Sequence, residues 1–283
     1  MYLSLSNKNM KVEKKRNPIF SSLLSLLVPG LGQLYNGELK KAAIFYLAQF
    51  AIFVSLFIFG IQYSPKGLFI IVLIIAFFYF FVMGEATLRS LIVKTIVPKP
   101  FNKWYVYCLI IISANLISWG FNSAFRQSLI GIKPFYLPSA SNEPTLLVGD
   151  QVIVDLRKKE PIKGTFIVFK FPDDPKKIYL KRTIATEGDV LEIKNKNVFI
   201  NHGILYEPYR VHADNKVLPK NTSPRDNFGP IQIPKNNVFV MGDNRDYSFD
   251  SRFYGPVDKS VLIGTALYIY WARDKSRIGM KIK

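Results

Sequence analysis

The chain has one cysteine, Cys108, and two histidines, His202 and His212, among its 283 residues. A lone thiol forms no intramolecular disulfide, so any folded domain must be held by its own core. Two isolated histidines with no cysteine partners and no ligand spacing leave no basis for a zinc site or a Ser-His-Asp triad. No metal and no cofactor is expected. Acidic residues are also scarce, 20 against 38 Lys and Arg, for a formal charge of +18. In a soluble protein such an excess would suggest nucleic acid. Here much of it flanks long apolar runs, where lysines face anionic headgroups. Beyond those runs the two signs mix without an Arg/aromatic block, so nucleic acid is not an expected partner. There is no internal repeat and no low-complexity segment.

What the chain does have is unevenly distributed. Residues 42–62, 67–84 and 104–125 carry no charge and are mostly apolar. A bilayer core of ~30 Å needs about 20 such residues in a helix. The three runs read as membrane spans, with the lipid bilayer as a partner. Residues 17–37 are uncharged too, but Ser21, Ser22 and Ser25 interrupt them and Pro29-Gly30-Leu31-Gly32 follows. Proline and glycine weaken a helix, and unpaired backbone in lipid is costly. Residues 17–41 therefore read as an interfacial or re-entrant segment, ahead of a membrane region over 42–125. A cleavable signal peptide after Lys14-Lys15-Arg16 is a further reading, which the serines and the Pro-Gly break fit badly. Basic residues cluster in 1–16 and around Lys94, Lys99 and Lys103, whereas residues 63–66 hold only Lys66. The positive-inside rule then makes 1–16 cytoplasmic and puts 126–283 on the other side.

From about residue 133 the texture changes. Short runs rich in Val, Ile, Phe and Tyr occur at 151–155, 165–169, 178–184, 190–193, 198–200, 238–241 and 266–271, separated by turn-formers. This predicts a mainly-β domain with barrel or sandwich closure. Residues 207–234, with five prolines, read as a long excursion between strands.

Three blocks in that domain carry chemistry. They are Pro138-Ser139-Ala140-Ser141-Asn142-Glu143-Pro144-Thr145-Leu146, Tyr179-Leu180-Lys181-Arg182-Thr183-Ile184, and the string from Gly242 through Asp243, Asn244, Arg245 and Asp246 to Ser248, Asp250 and Arg252. Each has a bland reading: a turn serine, a solvated lysine in a strand, a polar turn with surface ion pairs. Strand alternation would put Tyr179, Lys181 and Thr183 on one face and Leu180 and Arg182 on the other. A serine hydroxyl needs a base to become a nucleophile, and lysine can be that base only when burial keeps it neutral.

Together the blocks resemble the bacterial type I signal peptidases (leader peptidases, peptidase family S26), serine proteases that use lysine as base. The resemblance covers about residues 135–272. It implies an N-terminal α-helical transmembrane region followed by a signal-peptidase-like, mainly-β catalytic domain over 126–283. It implies a multi-pass protein of the bacterial cytoplasmic membrane, with that domain on the extracytoplasmic side. Ser141 would be the nucleophile and Lys181 the general base. Ser139 and the Ser141 N–H would stabilise the oxyanion, and Ser248 would orient the amine. Asp250 and Arg252, with Asp243 and Arg245, would form a supporting ion-pair network in the motif Gly242–Asp246. The implied partners are exported preproteins with signal peptides bearing small residues at −1 and −3. The chain departs from the family pattern at Asn142, usually methionine, and at Ala140, usually glycine. Those departures keep open a specialised peptidase maturing a narrow client set, such as pilin-like or conjugation proteins. A catalytically inactive membrane scaffold is the alternative of another class.

Overall fold

The computed structural model describes residues 13–123 and 131–282. Most of the basic segment 1–16, the end of the third apolar run at 124–125 and the boundary at 126 lie outside the described residues. The chain forms two compact units, residues 1–62 with 67–129 and residues 63–66 with 130–283.

The first unit is helical. Helix α1 (Pro18–Leu27) begins at Asn17, whose side chain accepts from the Ile19 and Phe20 N–H groups. At ~1.5 Å per residue its ten residues are too short to cross a bilayer. Gly30, at φ 96°, starts α2 (Leu31–Tyr35), and a Cβ there would sit 2.3 Å from the Ala42 carbonyl oxygen. The polar residues that interrupt the apolar run turn inward. Ser21 Oγ and Asn36 Nδ2 donate to the Ala86 carbonyl at 3.2 and 2.8 Å, and Gln33 Nε2 donates to Val82 at 2.9 Å. Val82 and Ala86 lie on α4 (Pro65–Ile92), which follows α3 (Leu39–Ile58).

Helices α3 and α4 are long and apolar enough to cross a membrane, and only 11% and 17% of their apolar windows are buried within the protein. A soluble core helix would bury far more. Helix α4 runs past the apolar stretch 67–84 because the charges that follow are paired: Glu85 with Lys41 at 2.6 Å and Arg89 with Glu38 at 2.8 Å. Helix α5 (Trp104–Ser123) has a shorter apolar stretch among the described residues, Trp104–Ile117. Two residue pairs, β1 (Lys14–Lys15) and β2 (Thr95–Ile96), form a small ladder.

The second unit is built of antiparallel strands: β3 (Ile132–Tyr136), β4 (Gln151–Asp155), β5 (Phe166–Phe171), β6 (Asp174–Thr186), β7 (Val190–Lys194), β8 (Asn197–Ile200), β9 (Gly203–Ile204), β10 (Phe228–Gln232), β11 (Asn237–Met241), β12 (Val257–Asp258) and β13 (Leu262–Trp271). They form a seven-stranded sheet, β12-β11-β6-β5-β13-β4-β3, and a four-stranded sheet, β10-β7-β8-β9. The proline-rich excursion is not all loop, since β10 falls within it. The pairing of β10 with β7 shifts register between Phe228 and Ile231, across Gly229-Pro230. Proline lacks a ladder donor, so only an irregular edge strand accommodates it.

Strand β5 reads as an apolar run over residues 166–169, before the exposed Lys170, because both its faces are buried there. Phe166 and Val168 join a core with Leu146, Val152 and Leu180, while Ile167 and Phe169 join one with Val238 and Val240. Strand β6 is the longest. It pairs with β5 along one edge, and with β11 along the other only from Arg182, opposite Met241, onward. The edge of β6 before Arg182 is therefore free of a strand neighbour on that side.

Candidate active site

Ser141 sits in a single 3₁₀ turn, Ala140–Asn142, between β3 and β4. Lys181 lies on β6 at the stretch where the β11 edge has ended. Its Nζ is 2.7 Å from Ser141 Oγ and 3.0 Å from Ser248 Oγ, all three groups being buried. The turn is held from several directions. The Ser139 hydroxyl accepts from the Ser141 N–H at 3.2 Å, so the two expected oxyanion donors are adjacent. The Asn244 N–H donates to the Ser141 carbonyl and Asn244 Nδ2 to the Ala140 carbonyl, both at 3.2 Å. Asn142 Nδ2 donates to the Leu180 carbonyl at 2.9 Å. That bond ties the residue after Ser141 to the residue before Lys181, at the strand edge that β11 leaves open.

The third block closes the site from behind. Gly242 packs so tightly on the Ser141 turn that a Cβ would lie 2.2 Å from the Ser141 carbonyl oxygen and 2.4 Å from Ser248 Oγ. The Gly242 N–H donates to Ser248 Oγ at 3.2 Å and to Asp250 Oδ2 at 3.0 Å. Arg252 grips the Asp250 carboxylate through Nε and Nη2, both at 2.8 Å.

The expected ion-pair network is wired differently in its other half. Asp243 pairs with Arg182, through Nε at 2.7 Å and Nη2 at 2.6 Å, and accepts from Thr145 Oγ1. Arg245 pairs with Glu207, Nη1 lying 2.9 Å from Oε2. The reason is strand alternation: with Lys181 facing Ser141, Arg182 points to the opposite side, where Asp243 follows β11. Its guanidinium is stacked between Phe166 and Tyr209, at 4.2 and 3.8 Å from the ring centroids. Asp246 faces the excursion, accepting from the Asp214 N–H at 2.8 Å and lying 3.3 Å from His212 Nδ1.

Burial pushes the Lys181 amine down from 10.5 to about 8; the Asp250 charge opposes this and Arg252 assists it. For Asp250 burial works upward, but the Arg252 charge and hydrogen bonds, with Lys181, hold it below the usual carboxylate range. Burial also lowers His212, with Asp246 opposing. Ser141 and Lys181 border a cleft of about 460 Å³ whose walls include Leu137, Val168, Tyr179 and Leu180. Its apolar walls and buried neutral-capable amine suit acyl transfer to a serine. Among the described residues no group of three or more His, Cys, Asp or Glu side chains could hold a metal ion.

Ser141, Lys181, Ser248, Asp250 and Arg252, which the fold brings together, all lie in local strings of the sequence. Glu207 does not: it sits in a proline-rich excursion, and only the fold brings it to Arg245. The tie from Asn142 to Leu180 was missed for the same reason. Alternation beside Lys181 was the one signal that could have pointed to Arg182 as a buried partner.

A model of the family described as signal peptidase, peptidase S26, matches residues 105–271. A probable signal peptidase I-2 of Synechocystis sp. is 33% identical over 156 residues, covering 50% of this chain and 66% of that protein. The chloroplastic thylakoidal processing peptidase 1 of Arabidopsis thaliana is 30% identical over 164 residues, covering 53% and 45%. Signal peptidase I P of Bacillus subtilis subsp. natto is 31% identical over 148 residues, covering 51% and 80%. The match thus spans less than two thirds of the first two relatives' own length.

Proposed function

Because the chain belongs to the signal peptidase family, peptidase S26, whose model matches more than half of it, we propose that it is a membrane-bound serine endopeptidase removing signal peptides from exported preproteins. Ser141 is the nucleophile and Lys181 the general base. The observation that carries this reading is the buried 2.7 Å approach of Lys181 Nζ to Ser141 Oγ, with the amine's pKa near 8. When neutral, the amine accepts the Ser141 proton as the hydroxyl attacks the scissile carbonyl. The ammonium then protonates the leaving amine, and a water repeats the cycle on the acyl-enzyme. The Ser141 N–H and the Ser139 hydroxyl are the donors for the oxyanion. Ser139 must turn from accepting to donating as substrate enters. Each such donor contributes about 3 kcal/mol to the transition state.

The membrane setting of this reading rests on the apolar, outward-facing α3 and α4. Exposed Leu47, Phe69, Phe77 and Phe80 are groups that lipid would cover. Residues 63–66 group with the catalytic unit, and the Arg157 guanidinium lies 4.0 Å above the Tyr63 ring. The scarcity of basic residues in 63–66 supports an extracytoplasmic catalytic domain in a bacterial cytoplasmic membrane. The clients are preproteins with small residues at −1 and −3.

Ser141→Ala and Lys181→Ala are the test, in the full chain, on a signal-peptide substrate. Each should lower kcat more than ~10⁴-fold, and the double variant should be hardly worse, since the two groups act as a unit. Substantial activity in Lys181→Ala would overturn the lysine-base reading.

A further inference from the structure

Residues 1–129 contain three acidic side chains, Glu13, Glu38 and Glu85. Each is engaged: Glu13 accepts from Thr95 Oγ1 at 2.7 Å, Glu38 pairs with Arg89 and Lys41, and Glu85 pairs with Lys41 and accepts from Gln33. None reaches Arg16. Yet Arg16 is only 7% exposed, and its Nε and Nη2 are buried without a hydrogen-bond partner among the described residues. What holds its guanidinium is the face of Tyr35, 4.3 Å away. Tyr35 is itself fixed, edge-on to Phe20 and Tyr107, with its hydroxyl accepting from the Asn17 N–H. The Arg16 backbone is fixed as well: its N–H donates to the Lys94 carbonyl at 2.9 Å, extending the β1–β2 ladder.

An immobilised, desolvated cation with free N–H groups costs several kcal/mol unless an anion meets it. The surroundings add to that demand. The ladder brings Lys14 and Lys15 beside the segment carrying Lys94, Lys99 and Lys103, and Glu13 is the one acid among them. Arg16 directly precedes the capped N-terminus of α1, which has no acidic residue in its first turn, so the helix end adds positive potential. A forked guanidinium with two unpaired N–H groups matches a tetrahedral phosphate better than a point charge does. Ile19, three residues on, is 71% exposed, and Trp104, which opens α5, is 75% exposed, side chains that lipid would cover, with aromatic residues favoured at a membrane boundary.

The geometry points to Arg16 as the centre of a phosphate-binding site, flanked by Lys14, Lys15 and Lys94, that takes the phosphate of an anionic lipid headgroup or free phosphate. The site lies within the helical unit and needs nothing from the Ser141–Lys181 chemistry.

Binding is to be measured on the full chain in nanodiscs of phosphatidylcholine with and without phosphatidylglycerol, by native mass spectrometry of retained lipid. The wild type should retain phosphatidylglycerol over phosphatidylcholine, and Arg16→Gln should weaken that retention about tenfold, as loss of a bidentate charge-assisted pair implies. Arg16→Lys, which keeps the charge and loses the fork, should fall between them, and it serves alone if Arg16→Gln does not fold. Inorganic phosphate is the second arm. If it displaces the lipid, the site takes phosphate from either source; if it does not, the headgroup is the ligand. Equal retention of the two lipids by the wild type, or retention unchanged in both Arg16 variants, overturns the proposal.

Discussion

At the residue scale, Lys181 links pH to both activity and stability. Its folded pKa, about 8, lies below the 10.5 of an exposed lysine. Between those values the unfolded chain binds more protons than the folded one, so stability rises with pH across that window. Below about 8 both states are protonated and the full cost of the buried ammonium is present, about 3 kcal/mol at ~1.4 kcal/mol per unit. Lys181→Met removes that cost but also removes contacts to Ser141 and Ser248, at ~1 kcal/mol each. The variant should therefore melt above the wild type in mildly acidic solution and below it at pH above 10.5. A melting difference that does not change with pH would mean the amine is not buried as described. Activity should also be lost on acidification: if the neutral amine is the base, kcat/KM falls tenfold per pH unit below about 8. An acid limb at pH ~4–5 would instead indicate a carboxylate base.

At the scale of elements, the site exists where three segments meet and one strand stops. Strand β11 ends opposite Arg182, which frees the adjoining stretch of β6 to face the Ser141 turn. Asn142 covers the open Leu180 carbonyl, although its own Oδ1 stays buried without a partner. Gly242 sets the spacing. With a Cβ 2.2 Å from the Ser141 carbonyl oxygen and 2.4 Å from Ser248 Oγ, Gly242→Ala must push the turn and the Ser248 hydroxyl away from Lys181. A displacement near 1 Å costs about 100-fold in rate. The variant should show that loss mostly in kcat, measured on the same signal-peptide substrate. Full activity would mean the turn yields without moving the dyad.

This is also where the sequence was most and least informative. Gly242, Ser248 and Lys181 lie in contiguous strings, and period-two alternation correctly separates Lys181 from Arg182. Glu207 and Arg245 lie far apart in the chain, and so do Asn142 and Leu180; neither pair leaves a periodic trace. Strand β10 was hidden because Gly229-Pro230 interrupts the alternation by which strands are read.

At the scale of the molecule, charge and hydropathy divide the chain before any side-chain chemistry does. The acids of the helical unit are few and each is hydrogen-bonded or ion-paired, while its lysines crowd the segments joined by the β1–β2 ladder. If the positive-inside rule governs this protein, reporter fusions after Lys41 and Lys94 should report the cytoplasm, and fusions after Tyr63 and Arg126 the outside. The fusion after Lys41 is decisive, because it asks what residues 17–37 do. With α1 ten residues long and Ser21, Gln33 and Asn36 bonded to carbonyls of α4, the α1–α2 pair is expected to return its chain to the side it came from. These polar groups have partners only in that folded-back arrangement; stretched across the bilayer they would face hydrocarbon, at ~1–3 kcal/mol each. An outside signal after Lys41 would mean that the segment spans after all. The catalytic domain would then have to lie on the cytoplasmic side, or Lys14, Lys15 and Arg16 on the outer one, and the proposed access to exported preproteins would fail.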